Sequence, residues 1–383
     1  MKECDSIMKK KFSFSQLLFL FIGGMIGFII SKFMINNVEE NSTFEKVLIL
    51  VILLISIFLA YLIQIIVHES GHLIFGLLTG YKFSSFRIGS IMFVKKNSKI
   101  KCKRFSLAGT GGQCLMTPPD FNNGFFPCML YNFGGSIANL FLSIIALILF
   151  LSFRNILYLS PFLLLLVLIG IAFALTNGIP RHAGYVNNDG YNALHLNKND
   201  VVKRAFWIQL KVNGLITDEI RLKDMPSELF EIPEDEYLNN QLCSCIGVLA
   251  CSRAIDQQNF QKAKEIGNKI LIDVPELNSI HKNLLISEMI FCELVCENRK
   301  DEIERLYTDK FKKFIKVLKN NLSITRMRYA YEVLVNNDEI AAKKLLDTFS
   351  KIKKTYPHQC EIEGELELID YVNHIYLTRN NRE

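Results

Sequence analysis

Within His68-Glu69-Ser70-Gly71-His72, two imidazoles stand four residues apart and a carboxylate follows the first of them. On a helix that spacing sets both rings on one face, one turn above the other, where they can share a single ion such as Zn2+. Glu69 then lies beside the pair, placed to take a proton from a water that the metal activates. With only seven His in 383 residues, this HExxH pattern is selective; the plainer alternative is a pair of core or pore histidines. The motif sits inside an apolar run, so the place of the metal relative to the lipid decides the substrate.

Half of the residues are hydrophobic and Phe alone numbers 29, and these residues are unevenly spread. Up to about Pro180 the chain is rich in long runs of Leu, Ile and Phe; beyond it charge becomes frequent and no run of spanning length remains. The expected division is a membrane domain over residues 1–198 and a helical domain over 199–383. Residues 1–180 hold 15 Lys+Arg against 7 Asp+Glu, and the remainder 29 against 31, so the net +6 belongs to the membrane half. That distribution argues against a nucleic-acid surface on the other half.

Four segments are apolar enough to cross a bilayer of about 30 Å: Phe14 to Phe33, Val47 to Leu78, Met129 to Leu151 and Pro161 to Thr176. The first follows Lys9, Lys10 and Lys11 but is too long for a secretory signal and lacks a small-residue cleavage site, so it reads as an uncleaved anchor. Lys82, Arg87, Lys95, Lys96, Lys99, Lys101, Lys103 and Arg104 crowd the connection after the second span, whereas Glu39 and Glu40 mark the connection before it. The Lys/Arg bias sets that basic loop, and with it both termini, on the cytoplasmic side of a multi-pass cell-membrane protein. Lipid binding by the loop is the alternative reading of the same charge.

A third metal ligand must then come from the cytoplasmic side. Two further crossings return the chain to that side, where Asn187-Asn188-Asp189-Gly190-Tyr191 follows the fourth span. Asp189 can approach the two imidazoles without any polar group crossing lipid, completing a three-ligand set with one position open. His182 and His195 flank it as alternatives, and a plain Asp-Gly turn is the bland one. Asn139 or Asn177 could donate to an oxyanion, although helix packing accounts equally well for Asn139.

Lys82 to Ile88 and Lys99 to Phe105 partly alternate around Lys96-Asn97-Ser98, which predicts a β-hairpin at the membrane surface, with an edge able to hold an extended peptide. Apolar stripes predict helices near 237–257, 260–272, 279–297, 301–319, 324–335, 340–354 and 359–377. Their pairing at about 40 residues suggests an α-solenoid similar to degenerate tetratricopeptide repeats, a surface for a protein partner; a compact bundle is the simpler alternative. The ten cysteines have neither zinc-ribbon nor disulfide-framework spacing and read as reduced core thiols.

Taken together, His68 to His72, Gly134-Gly135-Ser136-Ile137-Ala138-Asn139, Asn177-Gly178-Ile179-Pro180 and Asp189-Gly190 resemble, in order and spacing, the site-2 protease-like intramembrane zinc metallopeptidases, over about Tyr61 to Leu196. The interval from Pro180 to Asp189 is longer than the family's compact Pro-x-x-x-Asp-Gly-Gly, and Tyr191 replaces the second glycine. The resemblance implies Zn2+ held by His68, His72 and Asp189, Glu69 as proton carrier and Asn177 as oxyanion donor. The expected fold class is mainly α: about four transmembrane helices, a small membrane-surface β-hairpin and a C-terminal solenoid-like domain. The expected function is a membrane-embedded zinc endopeptidase that cuts a membrane-inserted or membrane-proximal substrate near the cytoplasmic face. Its alternative is a catalytically silent membrane interaction or immunity-type protein that keeps the metallopeptidase fold.

Overall fold

The computed structural model describes residues 42–380 apart from 97–98, 107–109, 123, 184–185 and 276, with a few further positions between 23 and 31. The expected first span, Phe14 to Phe33, lies largely outside these. Among the described residues three helices are long and apolar enough to cross a membrane: α1 (Thr43–Leu78), α2 (Met129–Ser152) and α3 (Leu159–Gly178). The chain is mostly helical, and it forms two compact units.

The first unit comprises the described residues up to Phe75, with Tyr131–Arg181 and Asn188–Tyr191. A capping box starts α1: Ser42 N donates to Glu45 Oε2 at 2.9 Å and Glu45 N to Ser42 Oγ at 3.4 Å. At 1.5 Å per residue its 36 residues run about 54 Å, well beyond the hydrocarbon thickness. The inner face of α2 is small and polar (Gly134, Gly135, Ser136, Asn139, Ser143, Ala146), whereas Phe141, Ile144, Ile148 and Leu151 stay exposed, as a lipid-facing stripe would. That small face lets backbones meet: a Cβ on Gly134 would stand 2.6 Å from the Gly71 carbonyl oxygen. Ala60 and Ala146 join Leu163, Leu166 and Val167 of α3 in the apolar core. Pro180, two residues past the end of α3, lacks the N–H and the room to continue it.

The second unit comprises Gly76–Leu130, His182–Asn187 and Asn192–Glu383. Here the expected hairpin is corrected. Both predicted segments are strands, β1 (Lys82–Ile88) and β3 (Lys99–Arg104), but they do not pair with each other. Between them runs β2 (Ile91–Lys96), and β4 (Gly112–Thr117) covers the other side of β1, giving an antiparallel sheet in the order β3-β2-β1-β4. Ile91-Met92-Phe93-Val94 is a continuous apolar run, so alternation does not reveal it, although Met92 and Val94 alone point inward. The Lys-rich edge strand β3 is tied down: Lys103 Nζ donates to the Tyr356 carbonyl at 2.6 Å, and on β2 Lys96 pairs with Glu219 at 2.8 Å. A two-stranded ribbon, β5 (His182–Ala183) with β6 (Val186–Asn187), precedes the short α4 (Asp189–His195).

Helix α5 (Asp200–Thr217), capped by Asn199, packs on the sheet at β4. Beyond it come α6 (Gln241–Asp256), α7 (Phe260–Asp273), α8 (Ser279–Val295), α9 (Lys300–Leu306), α10 (Asp309–Val317), α11 (Leu322–Tyr331), α12 (Glu339–Thr355) and α13 (Gln359–Asn380). Successive members pack on one another from α5 through α8, and α11 packs on α8, α12 and α13. The segment expected as one helix over 301–319 is two, because the Thr308 side chain caps a new start by accepting from Phe311 N. Nine cysteines are free thiols among the described residues, seven of them buried, with Cys102 exposed and Cys296 half-buried.

Candidate metal centre

The HExxH turn sits in the last third of α1, with His68, Glu69 and His72 all buried. The Nε2 atoms of His68 and His72 lie 3.2 Å apart. Asp189, at the first position of α4, brings Oδ2 to 3.2 Å from His68 Nε2 and 3.4 Å from His72 Nε2. Among the described residues this is the only cluster of three such donors, and neither His182 nor His195 belongs to it. His182 Nδ1 instead meets Asn187 Oδ1 at 2.7 Å within the β5/β6 ribbon.

The protonation of the rings follows from what their other nitrogens touch. His72 Nδ1 lies 2.8 Å from the Tyr131 carbonyl oxygen, which only accepts, so that nitrogen carries a proton and, in the neutral ring a metal requires, Nε2 presents the lone pair. For His68, Nδ1 lies 2.8 Å from Asn139 Oδ1. The Asn139 amide cannot be turned round, because its Nδ2 donates at 2.8 Å to the Gln64 carbonyl and at 2.7 Å to Gln64 Oε1. Gln64 is oriented in turn, since its Nε2 donates to the Leu166 carbonyl at 2.8 Å. In the neutral ring, His68 therefore also presents Nε2 as its lone-pair nitrogen.

Two imidazole lone pairs and a carboxylate oxygen thus converge, a donor set that calls for a cation between them. Donors about 2.0–2.1 Å from one tetrahedral ion lie roughly 3.3 Å apart, which the three observed separations match. The donor types, two neutral nitrogens and one carboxylate oxygen, suit Zn2+. Asp189 is 28% exposed whereas the His68 side chain is 9% exposed, so the cluster opens on the Asp189 side, where a fourth position would reach water.

Glycines and one asparagine make this geometry attainable. A Cβ on Gly135 would stand 2.5 Å from His68 Cε1, so α2 can pass the ring only as glycine. Asn188 holds the last ligand: its Oδ1 accepts from Arg181 N at 2.9 Å and Tyr191 N at 3.0 Å, and its Nδ2 donates to the carbonyls of Thr176 at 2.9 Å and Ile179 at 2.7 Å. Four bonds from one amide lock the end of α3 to the start of α4. Asn177 directs an amide hydrogen back to the Phe173 carbonyl at 3.0 Å. Sequence reasoning missed Gln64, Tyr131 and Asn188 as supports. Gln64 had a readable signal, a polar residue one turn before His68 in an apolar helix.

No curated protein and no solved structure matches the chain. The sequence model of Peptidase family M50, the site-2 protease family, matches residues 56–353, more than three quarters of the chain, and that span contains all three donors and Glu69. With that extent of match, the chain belongs to Peptidase family M50.

Proposed function

We propose that this member of a membrane peptidase family is a zinc metalloendopeptidase that cleaves a membrane-inserted or membrane-proximal peptide bond near the cytoplasmic face. Its substrates would be membrane proteins undergoing regulated cleavage, or a secreted peptide during maturation. The observation that carries this reading is the convergence of three lone pairs at the spacing of one tetrahedral ion, beside a buried carboxylate that the ion does not need as a ligand.

His68, His72 and Asp189 would hold the zinc, which when bound supplies Lewis acidity towards water and the scissile carbonyl. Glu69 takes the proton of the attacking water and returns it to the leaving amine. Both imidazoles are pinned through Nδ1 and act as ligands, not bases. One amide hydrogen of Asn177 is committed to Phe173, and the other is the donor we assign to the oxyanion. The motif occupies the end of α1 that leads into the basic segment from Lys82 to Arg104, which supports a cytoplasmic position for the site and both termini. The helical domain over 199–383, read as a cytoplasmic solenoid-like array, would recruit a protein partner or screen substrates.

The deciding comparison is Glu69→Gln against wild type in the native membrane. Uncut membrane peptides should accumulate in the variant while its zinc content stays that of wild type. Identical peptide profiles would overturn the peptidase reading and favour an interaction protein, because a structural zinc needs ligands but no base.

A further inference from the structure

The helical half bears a half-open cavity of about 260 Å3 whose charged lining is Arg221, Asp256, Glu288, Arg326, Glu361 and Glu365. Four carboxyls face two guanidiniums there. Arg221 pairs with Asp256 at 2.5 Å and with Glu367. Arg326, 1% exposed, gives Nε to Glu365 at 2.5 Å and Nη2 to Glu288 at 2.6 Å, and its guanidinium lies 3.9 Å over the Phe291 ring. The plane is thereby fixed, yet the buried Nη1 has no hydrogen-bond partner among the described residues. Glu361 forms no ion pair among them; burial pushes its carboxyl up to about 7, and the Tyr356 hydroxyl bonded to it only partly offsets this.

A buried N–H without an acceptor and a half-buried carboxyl without a cation are each unfavourable, and Arg326 and Glu361 both line the same cavity. A simple anion would satisfy Arg326 but meet four carboxyls. A simple cation would suit Glu361 but leave Nη1 bare. A peptide unit bearing Lys or Arg answers both, with its carbonyl accepting from Arg326 and its cationic tip among Glu361 and Glu365. The volume falls below the roughly 300–1,000 Å3 of small-molecule sites, leaving room for one long side chain and its peptide group.

We propose that this cavity is a docking pocket for a single Lys or Arg side chain of a peptide partner, with Arg326 reading the main chain and Glu361 reading the charge. The proposal rests on the reading of the helical domain as a recruiting surface and gives its partner a chemistry. It depends on neither zinc nor cleavage, so either can fail without the other.

The test is isothermal titration of the full-length protein in nanodiscs with Ac-Ala-Ala-Lys-Ala-Ala-NH2, its Arg, Glu and Ala counterparts, and free lysine. The Lys and Arg peptides should bind at least about tenfold more tightly than the other two, a difference of about 1.4 kcal/mol. Removing Arg326 would strand Glu288 and Glu365 and threaten folding, so the variant of choice is Glu361→Gln, which keeps the shape. It should weaken the Lys peptide about tenfold without lowering the thermal midpoint. Equal binding of the Lys and Ala peptides would mean that the cavity holds only water and would overturn the proposal. It would equally be overturned by an unchanged Glu361→Gln, or by free lysine binding as well as the peptide.

Discussion

Asn139 Oδ1 stands 2.8 Å from His68 Nδ1, and the direction of that amide is dictated from its far end by Gln64 and the Leu166 carbonyl. A chain of three oriented side chains thus crosses α1, α2 and α3 to decide which nitrogen of His68 faces the ion. Groups that orient a metal-bound histidine in this way typically affect affinity by about 10–100-fold. Asn139→Leu should therefore lower zinc affinity by about that factor, read by chelator competition on the purified protein. An unchanged affinity would show that the tautomer is not set here.

Gly135 faces the same ring from α2. Alanine is the better helix former by roughly 1 kcal/mol, so elsewhere the exchange would help; here the new methyl would stand 2.5 Å from His68 Cε1. Gly135→Ala is expected to displace the imidazole and reduce zinc per chain, with Glu69 untouched. Full occupancy in this variant would mean that α1 and α2 can separate freely.

Asn188 governs the third donor through its four hydrogen bonds to Arg181, Tyr191, Thr176 and Ile179. Asn188→Ala removes all four and frees the start of α4. Zinc affinity should fall about 10–100-fold. Asn188→Asp keeps both acceptor bonds and loses both donors, so it should fall in between. Equal affinities for the three proteins would show that Asp189 holds its place unaided.

What could be read from the sequence follows from how local each signal is. His68 and His72 needed only the helical repeat, whereas the expectation that the chain returns to one side of the bilayer pointed to Asp189 but left His182 and His195 open beside it, and only the folded chain brings Asp189 alone to the pair. The helices from Gln241 onward were legible because apolar stripes and caps such as Asn259 and Asp338 are local. The sheet was not. Its β2 strand has the inward alternation of Met92 and Val94 masked by Ile91 and Phe93, which stay exposed. The pairing of β1 with β4 spans more than twenty residues and leaves no periodic trace. Asn188 was equally hidden, since an asparagine in a turn looks the same whether it holds two bonds or four.

Glu361 gives a pH dependence whose sign can be worked out. Burial first, then Glu365 and Glu219 nearby, raise its carboxyl from the ordinary 4.5 to about 7 despite the hydrogen bond with Tyr356. Between these values the folded chain keeps a proton that the unfolded chain releases, so stability falls as pH rises. The full contribution is present below about 4.5 and is lost as pH rises through about 7, an amount on the order of 1–3 kcal/mol. Glutamine at 361 has no proton to lose. The thermal midpoint of Glu361→Gln should therefore rise relative to wild type as pH goes from 5 through 7, and the gap should level off above about 8. Profiles that run parallel over the whole range would show that Glu361 ionises as an ordinary surface glutamate, and that the cavity around it is wet.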